Sequence, residues 1–117
     1  MSSPPIEIVV TDLDGTLWPS EGAVPDDTRS ALAELDRRGV AVLVATGRRL
    51  RSARLALVRA GLAHLPCVGL NGGLGADRGE VFHASTFDAG DARAVYDLFV
   101  AGGITPVGYL VPERDGE

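Results

Sequence analysis

The stretch Ile6 to Leu17, IEIVVTDLDGTL, is an apolar run that stops abruptly at two carboxylates one residue apart. A short apolar run closed by a turn signal reads as a buried strand, which puts Asp12 and Asp14 at its C-terminal tip. In an open α/β sheet, ligands bind at such tips. Two acids this close repel each other in an apolar setting unless a cation or a shared proton offsets them. Mg2+ suits the pair, because it is a hard ion that takes oxygen ligands and commonly accompanies phosphate. Gly15 permits a tight turn and close approach of backbone to a ligand, and Thr16 adds a hydroxyl. DLDGT therefore reads as a phosphate site; the plainer alternative is a strand-ending Asx turn.

The chain then alternates as a βαβ unit. Trp18 to Val24, WPSEGAV, is a polar loop with room only for a short flap beside the strand tip. Pro25, Asp26 and Asp27 open a helix, with negative charge at the positive end of its dipole. Ala31, Leu32 and Leu35 give it an apolar face, and Arg37, Arg38 and Gly39 close it. Val40 to Ala45, VAVLVA, is apolar throughout, as in a parallel strand covered on both faces. A right-handed crossover sets its end, Thr46-Gly47-Arg48, beside the DLDGT tip. Thr46 either donates to a phosphoryl oxygen or caps the next helix, and both roles are compatible. Gly47 lets backbone amides and a helix N-terminus face an anion. Arg48 and Arg49 are placed for substrate or for a closing cap, whereas Arg51, Arg54 and Arg59 read as a solvated helix face.

The next helix, from about Leu50 to Ala60, carries Leu55, Leu57 and Val58, with Gly61 as its C-cap. Pro66 to Leu70 reads as a third strand leading into Asn71-Gly72-Gly73. Asn71 either shapes the site or serves a turn that needs positive φ. Leu74 to Ala84 reads as a hairpin around Asp77 to Gly79. Asp88 or Asp91 caps a further helix to about Ala101, with Val95, Leu98 and Phe99 on one side, and Thr105 to Val111 reads as another strand. His64 and His83 have no metal-ligand partner at useful spacing. Cys67, the one cysteine, reads as a small buried hydrophobe and agrees with a reducing compartment.

The 117 residues suit one domain that buries roughly two-thirds of its unfolded surface. A net charge of -5 argues against nucleic acid or an anionic membrane as the main partner. No basic segment with a long apolar stretch opens the sequence, and no apolar run approaches the ~18 residues of a membrane helix, so the expected location is cytoplasmic.

The sequence resembles the haloacid dehalogenase-like phosphohydrolases, whose first motif, DxDGT, is met at every fixed position by Asp12-Leu13-Asp14-Gly15-Thr16. Their second motif is a Ser or Thr ending the second strand, here Thr46. The run ATGRR is similar to the version found in Cof-like sugar phosphatases, in which an Asn-Gly pair resembling Asn71-Gly72 ends the following strand. The resemblance implies an α/β fold with a Rossmann-like parallel sheet. It implies Asp12 as nucleophile forming an aspartyl-phosphate, and Asp14 as general acid and base. Mg2+ would be held by the Asp12 side chain and the Asp14 backbone carbonyl. Thr46, Gly47, Arg48 and Asn71 would bind phosphate, and the substrate would be a small phosphorylated metabolite such as a sugar phosphate; a phosphomutase shares the same first step.

By the same resemblance, residues 1–84 form the N-terminal part of the core and residues 85–117 begin an inserted α/β cap. The family's third-motif lysine has no counterpart, since the chain contains no lysine. The family's later pair of metal-binding acids has none either, because Gly90-Asp91-Ala92-Arg93 suits a helix start. The resemblance thus covers the first half of a typical member. If the family's strand order holds, the DLDGT strand becomes an exposed edge. The alternative function is an inactive fragment that binds phosphate or a partner chain.

Overall fold

In the computed structural model, which describes residues 2–111, the opening apolar run forms strand β1, Ile8–Thr11. It is followed by helix α1, Asp26–Arg37, strand β2, Ala41–Ala45, helix α2, Leu50–Arg59, and strand β3, Cys67–Gly69. A short 3-10 turn at Leu70–Gly72 leads to the hairpin β4, Leu74–Asp77, and β5, Glu80–Ala84, and then to helix α3, Ala89–Ala101. The five strands lie in chain order β1-β2-β3-β4-β5. The first three are parallel, and β4 and β5 continue the sheet antiparallel. This is the expected α/β sheet, with an antiparallel hairpin at one margin.

Two right-handed crossovers that advance in the same direction must leave both helices on one face of the sheet. That face carries the core. Val42, Val44 and Cys67 point into it from the sheet, with Leu50, Ala53, Ala56 and Leu57 from α2 and the half-buried Leu32 and Leu35 from α1. Leu13, Leu17 and Trp18, from the turn after β1, complete it. The opposite face is bare. Ile8 and Val10 are 53% and 58% exposed there, beside the exposed Phe82. The expectation of strands covered on both faces is therefore corrected: β1 is a sheet edge, and alternate residues of β1 and β2 face outward.

Helix α2 turns a different face inward from the one its larger residues suggest. Leu55 and Val58 are 48% and 56% exposed, while Ala53 and Ala56 are fully buried. Residues 50, 53, 57 and 60 share one helical stripe, and small alanines let the helix sit close to the sheet. Arg54 also departs from the solvated face expected of it. Its guanidinium donates to the Leu65 and Ala63 carbonyls at 2.7 and 3.0 Å, tying down the loop between α2 and β3.

Helix α3 is capped by Asp88, whose carboxylate accepts from the Asp91 amide at 2.9 Å. None of its residues is buried. The radius of gyration of 17.2 Å exceeds the ~13 Å of a compact chain of this length, as a helix standing off the sheet requires. The strand expected over Thr105 to Val111 does not form: those residues have no regular structure. A strand needs a neighbour for its amides and carbonyls, and Pro106 lacks an amide hydrogen; Tyr109 meets Arg49 instead, its ring centroid 6.0 Å from the guanidinium carbon. Residues 112–117 of the expected cap lie outside the described residues. Among the described residues, no helix is long and apolar enough to cross a membrane.

Two stability predictions follow from this packing. Leu57→Ala should cost about 2–5 kcal/mol in denaturant unfolding, and Leu55→Ala about 1 kcal/mol or less; equal losses would refute the α2 orientation. Glu34, hydrogen-bonded by Arg37 and Arg38, is pulled down to about 2 from 4.5. Because its folded-state pKa is depressed, its contribution is present above its unfolded value and lost as pH falls towards 2. Solvent screens this exposed pair, so Glu34→Gln should lower the melting temperature at pH 6 only slightly, and the gap to wild type should narrow as pH falls from 4.5 towards 2.

Candidate active site at the strand tips

The parallel register pairs Thr11 with Val44, so the next residues, Asp12 and Ala45, also stand side by side, one step short of Thr46. Asp12, Ala45, Thr46, Gly47, Val68, Asn71 and Gly72 line a hollow of about 540 Å³ at the C-terminal tips of the strands. A larger hollow of about 680 Å³ lies at the other end of the strands, between Ile8, Leu43 and Phe82 on the bare face. The smaller one holds the carboxylate, hydroxyl and amide groups that chemistry needs.

After β1 the chain winds through one tight turn. The amides of Thr16 and Leu17 donate to the Leu13 carbonyl at 3.1 and 2.9 Å, and Gly15 takes φ of 76°, a conformation that L side chains resist. The turn buries Leu13 and Trp18 and leaves both acids exposed at the surface. Asp12 accepts the Leu13 amide at 2.7 Å through Oδ1. Trp18, expected in a polar loop, is 1% exposed, and its indole Nε1 donates to Asp14 Oδ1 at 3.1 Å.

Thr46 is the buried polar residue of the site, 7% exposed. Its hydroxyl accepts the Arg48 amide at 3.2 Å, which shapes the turn, while the helix cap position belongs to Arg49 and receives no side-chain bond. The Thr46 O–H can still donate to an anion. Asn71 adopts φ of 52° and is among the residues lining the hollow. A Cβ on Gly47 would stand 2.9 Å from Asn71 Oδ1, so glycine is what lets the Asn71 amide approach. The Asn71 and Leu70 amides donate to the Thr46 and Arg48 carbonyls at 3.3 and 2.8 Å, fastening the two turns together.

Arg48 does not line the hollow; it sits beside it, over Asp14. Its Nε and Nη2 donate to the two Asp14 oxygens at 2.7 and 2.6 Å, a bidentate pair, and its Nη1 donates to Glu21 at 2.8 Å. Arg48 first and Trp18 second hold the Asp14 carboxyl below the usual carboxylate range. Asp14 is therefore ionised at neutral pH and a weaker base than a free carboxylate. With Asp14 about half exposed, solvent screens this pair and its worth to stability is small. Sequence reasoning missed both Trp18 and Glu21. An indole four residues past an acid was a readable signal for Trp18; a glutamate in a polar loop carried none.

Asp12 and Asp14 offer hard oxygen donors of the kind Mg2+ takes. Mg2+ is commonly held by one or two carboxylates plus water and phosphate oxygens, so the donors fit in kind and suit a weak site. Among the described residues, no group of three or more His, Cys, Asp or Glu side chains is placed to hold a metal.

The sequence profile of the haloacid dehalogenase-like hydrolase family matches residues 9–111. Among curated proteins, the 5-amino-6-(5-phospho-D-ribitylamino)uracil phosphatase YcsE of Bacillus subtilis is 39% identical over 49 residues, 42% of this chain and 20% of that protein. A solved haloacid dehalogenase-like hydrolase from B. subtilis superposes with a TM-score of 0.71 at 25% identity, over 84% of this chain and 34% of the other. A phosphatase of the same superfamily from Bacteroides thetaiotaomicron superposes with a TM-score of 0.70 at 26% identity, over 84% and 36% of the two chains. This chain thus spans about a fifth of the curated relative and about a third of each solved one.

Gly47→Ala tests the local geometry. The added methyl must push the Asn71 side chain aside, so the Asn71 side-chain amide resonances should shift while those of the core amides at Leu57 and Cys67 stay. The stability cost should be about 1 kcal/mol. An unmoved Asn71 would show that the two turns are not in contact.

Proposed function

Because the chain belongs to the haloacid dehalogenase-like hydrolase family, we propose that it carries the phosphoryl-transfer residues of a Mg2+-dependent phosphomonoester hydrolase acting on small phosphorylated metabolites. The observation that supports this most is the shared hollow of Asp12, Thr46 and Asn71 at adjoining strand tips. An Asp12 carboxylate oxygen attacks phosphorus and the ester P–O bond breaks. The departing oxygen takes a proton from Asp14. Water then attacks phosphorus, Asp14 recovers a proton from it, and the bond from Asp12 to phosphorus breaks to free phosphate. The pairing with Arg48 opposes the first half, for which Asp14 must carry a proton, and keeps the ionised form that the second half needs. Thr46 and the Gly47 turn hold phosphoryl oxygens, and Asn71 bounds the hollow. Mg2+, held by the Asp12 side chain and the Asp14 backbone carbonyl, would supply positive charge against those oxygens.

In this reading residues 1–84 are core and residues from 85 onward begin a second unit over the site, in keeping with the stand-off of α3. A cytoplasmic setting suits such a substrate. A sugar phosphate is a fitting one, since the hollow leaves the rest of the ester in the open. A second reading is a phosphate- or partner-binding module without turnover. It is favoured by the absence of lysine and, among the described residues, of a third carboxylate placed to hold metal.

Hydrolysis of a generic aryl phosphate, with and without Mg2+ and beside Asp12→Asn, separates the two. Turnover that needs Mg2+ and falls to background in Asp12→Asn is the expected result. Turnover no higher than in Asp12→Asn would leave the binding module.

A further inference from the structure

The geometry points to Glu21 as an internal anion that occupies one edge of Arg48 until a phosphate group displaces it. This deepens the phosphate reading of the site and rests on it. A guanidinium has two usable edges, and here they are divided. The Nε and Nη2 edge is bound by both Asp14 oxygens at 2.7 and 2.6 Å, whereas Nη1 meets a single Glu21 oxygen at 2.8 Å. A bidentate pair is the stronger and more directional of the two, so an arriving anion exchanges with Glu21 and leaves the Asp14 pair in place. Arg48 is a residue of the turn that presents Thr46 and Gly47 to the hollow, and its amide is bonded to the Thr46 hydroxyl at 3.2 Å.

Glu21 is well suited to leave. It belongs to the short loop after Trp18, whose neighbours Ser20 and Gly22 are exposed, and Gly22 adopts φ of 77° in a turn closed by the Ala23 amide on the Ser20 carbonyl at 3.0 Å. It also has somewhere to go. Its other oxygen already stands 3.6 Å from Arg59 Nη1 at the end of α2, so release from Arg48 does not strand a charge. Trp18, buried at the root of the loop, stays fixed while the tip moves. The loop is therefore a flap latched by one carboxylate, and the substrate's own charge is the key.

The test is titration of the whole 117-residue chain with inorganic phosphate at fixed ionic strength, followed by the Arg48 Nε–H resonance and by hydrogen exchange of the amides of residues 19–24. In wild type, phosphate should speed exchange in those amides. In Glu21→Gln exchange should be fast from the start, and phosphate should bind about two- to five-fold more tightly, the worth of a partly exposed ion pair. Glu21→Ala, which lacks any hydrogen-bonding side chain, should behave alike. Phosphate that binds both proteins equally, or binds wild type without changing exchange in the loop, overturns the latch and leaves the phosphate site standing. Phosphate that moves neither the Gly47 amide nor the Arg48 Nε–H resonance, in wild type or in either variant, overturns the phosphate reading and the latch with it; movement of the Gly47 amide alone overturns the latch only.

Discussion

The parallel pairing of β1 with β2 is the constraint on which the site depends. Thr11 opposite Val44 fixes where the two strands end relative to each other, and the acid of one end then stands within a residue of the hydroxyl of the other. Side-chain direction alternates along a strand, so a slip of one residue would turn Asp12 and Thr46 away from the shared hollow. What fixes the register is burial: Val42 and Val44 must face α1 and α2, and the core locks them there. The chemistry at the tips is thus positioned by apolar residues that never touch it.

Around that frame the polar groups are arranged so that most charges near the hollow already have partners. Asp14 is shared between an indole and a guanidinium, Arg48 between two carboxylates, and Glu21 between two arginines. Asp12 differs, because among the described residues its carboxylate accepts from the adjoining amide of Leu13 and pairs with no cation. The Asp12 carboxylate is left facing the hollow, while Asp14 is held ionised by Arg48. Two acids one residue apart are given different surroundings by what stands next to them.

Much of the fold was legible because it rests on patterns a linear sequence displays. The apolar runs gave β1, β2 and β3, the Asp77 to Gly79 turn gave the hairpin, and Asp88 gave the start of α3. The misses share a cause. In α2 the buried stripe sets alanines between Leu50 and Leu57, and alanines carry little hydrophobic signal, so Leu55 and Val58 drew attention that belonged to Ala53 and Ala56. The segment from Thr105 to Val111 has strand-forming residues, but a strand exists only with a partner beside it, and composition does not announce partners. At the strand tips, local motifs singled out Asp12, Thr46, Gly47 and Asn71, which share one hollow. Arg54 bonded to carbonyls across a loop, and Glu21 set against Arg48 27 positions away, are products of tertiary structure alone.

The order of the strands in the sheet is the order of the strands in the chain. Among these five, each new strand therefore finds its neighbour already made. On the ribosome, where the N-terminal side emerges first, such a set can grow one strand at a time, with β1 its oldest member. A nascent chain thus presents first, of the five strands, the one that leads into Asp12 and Asp14.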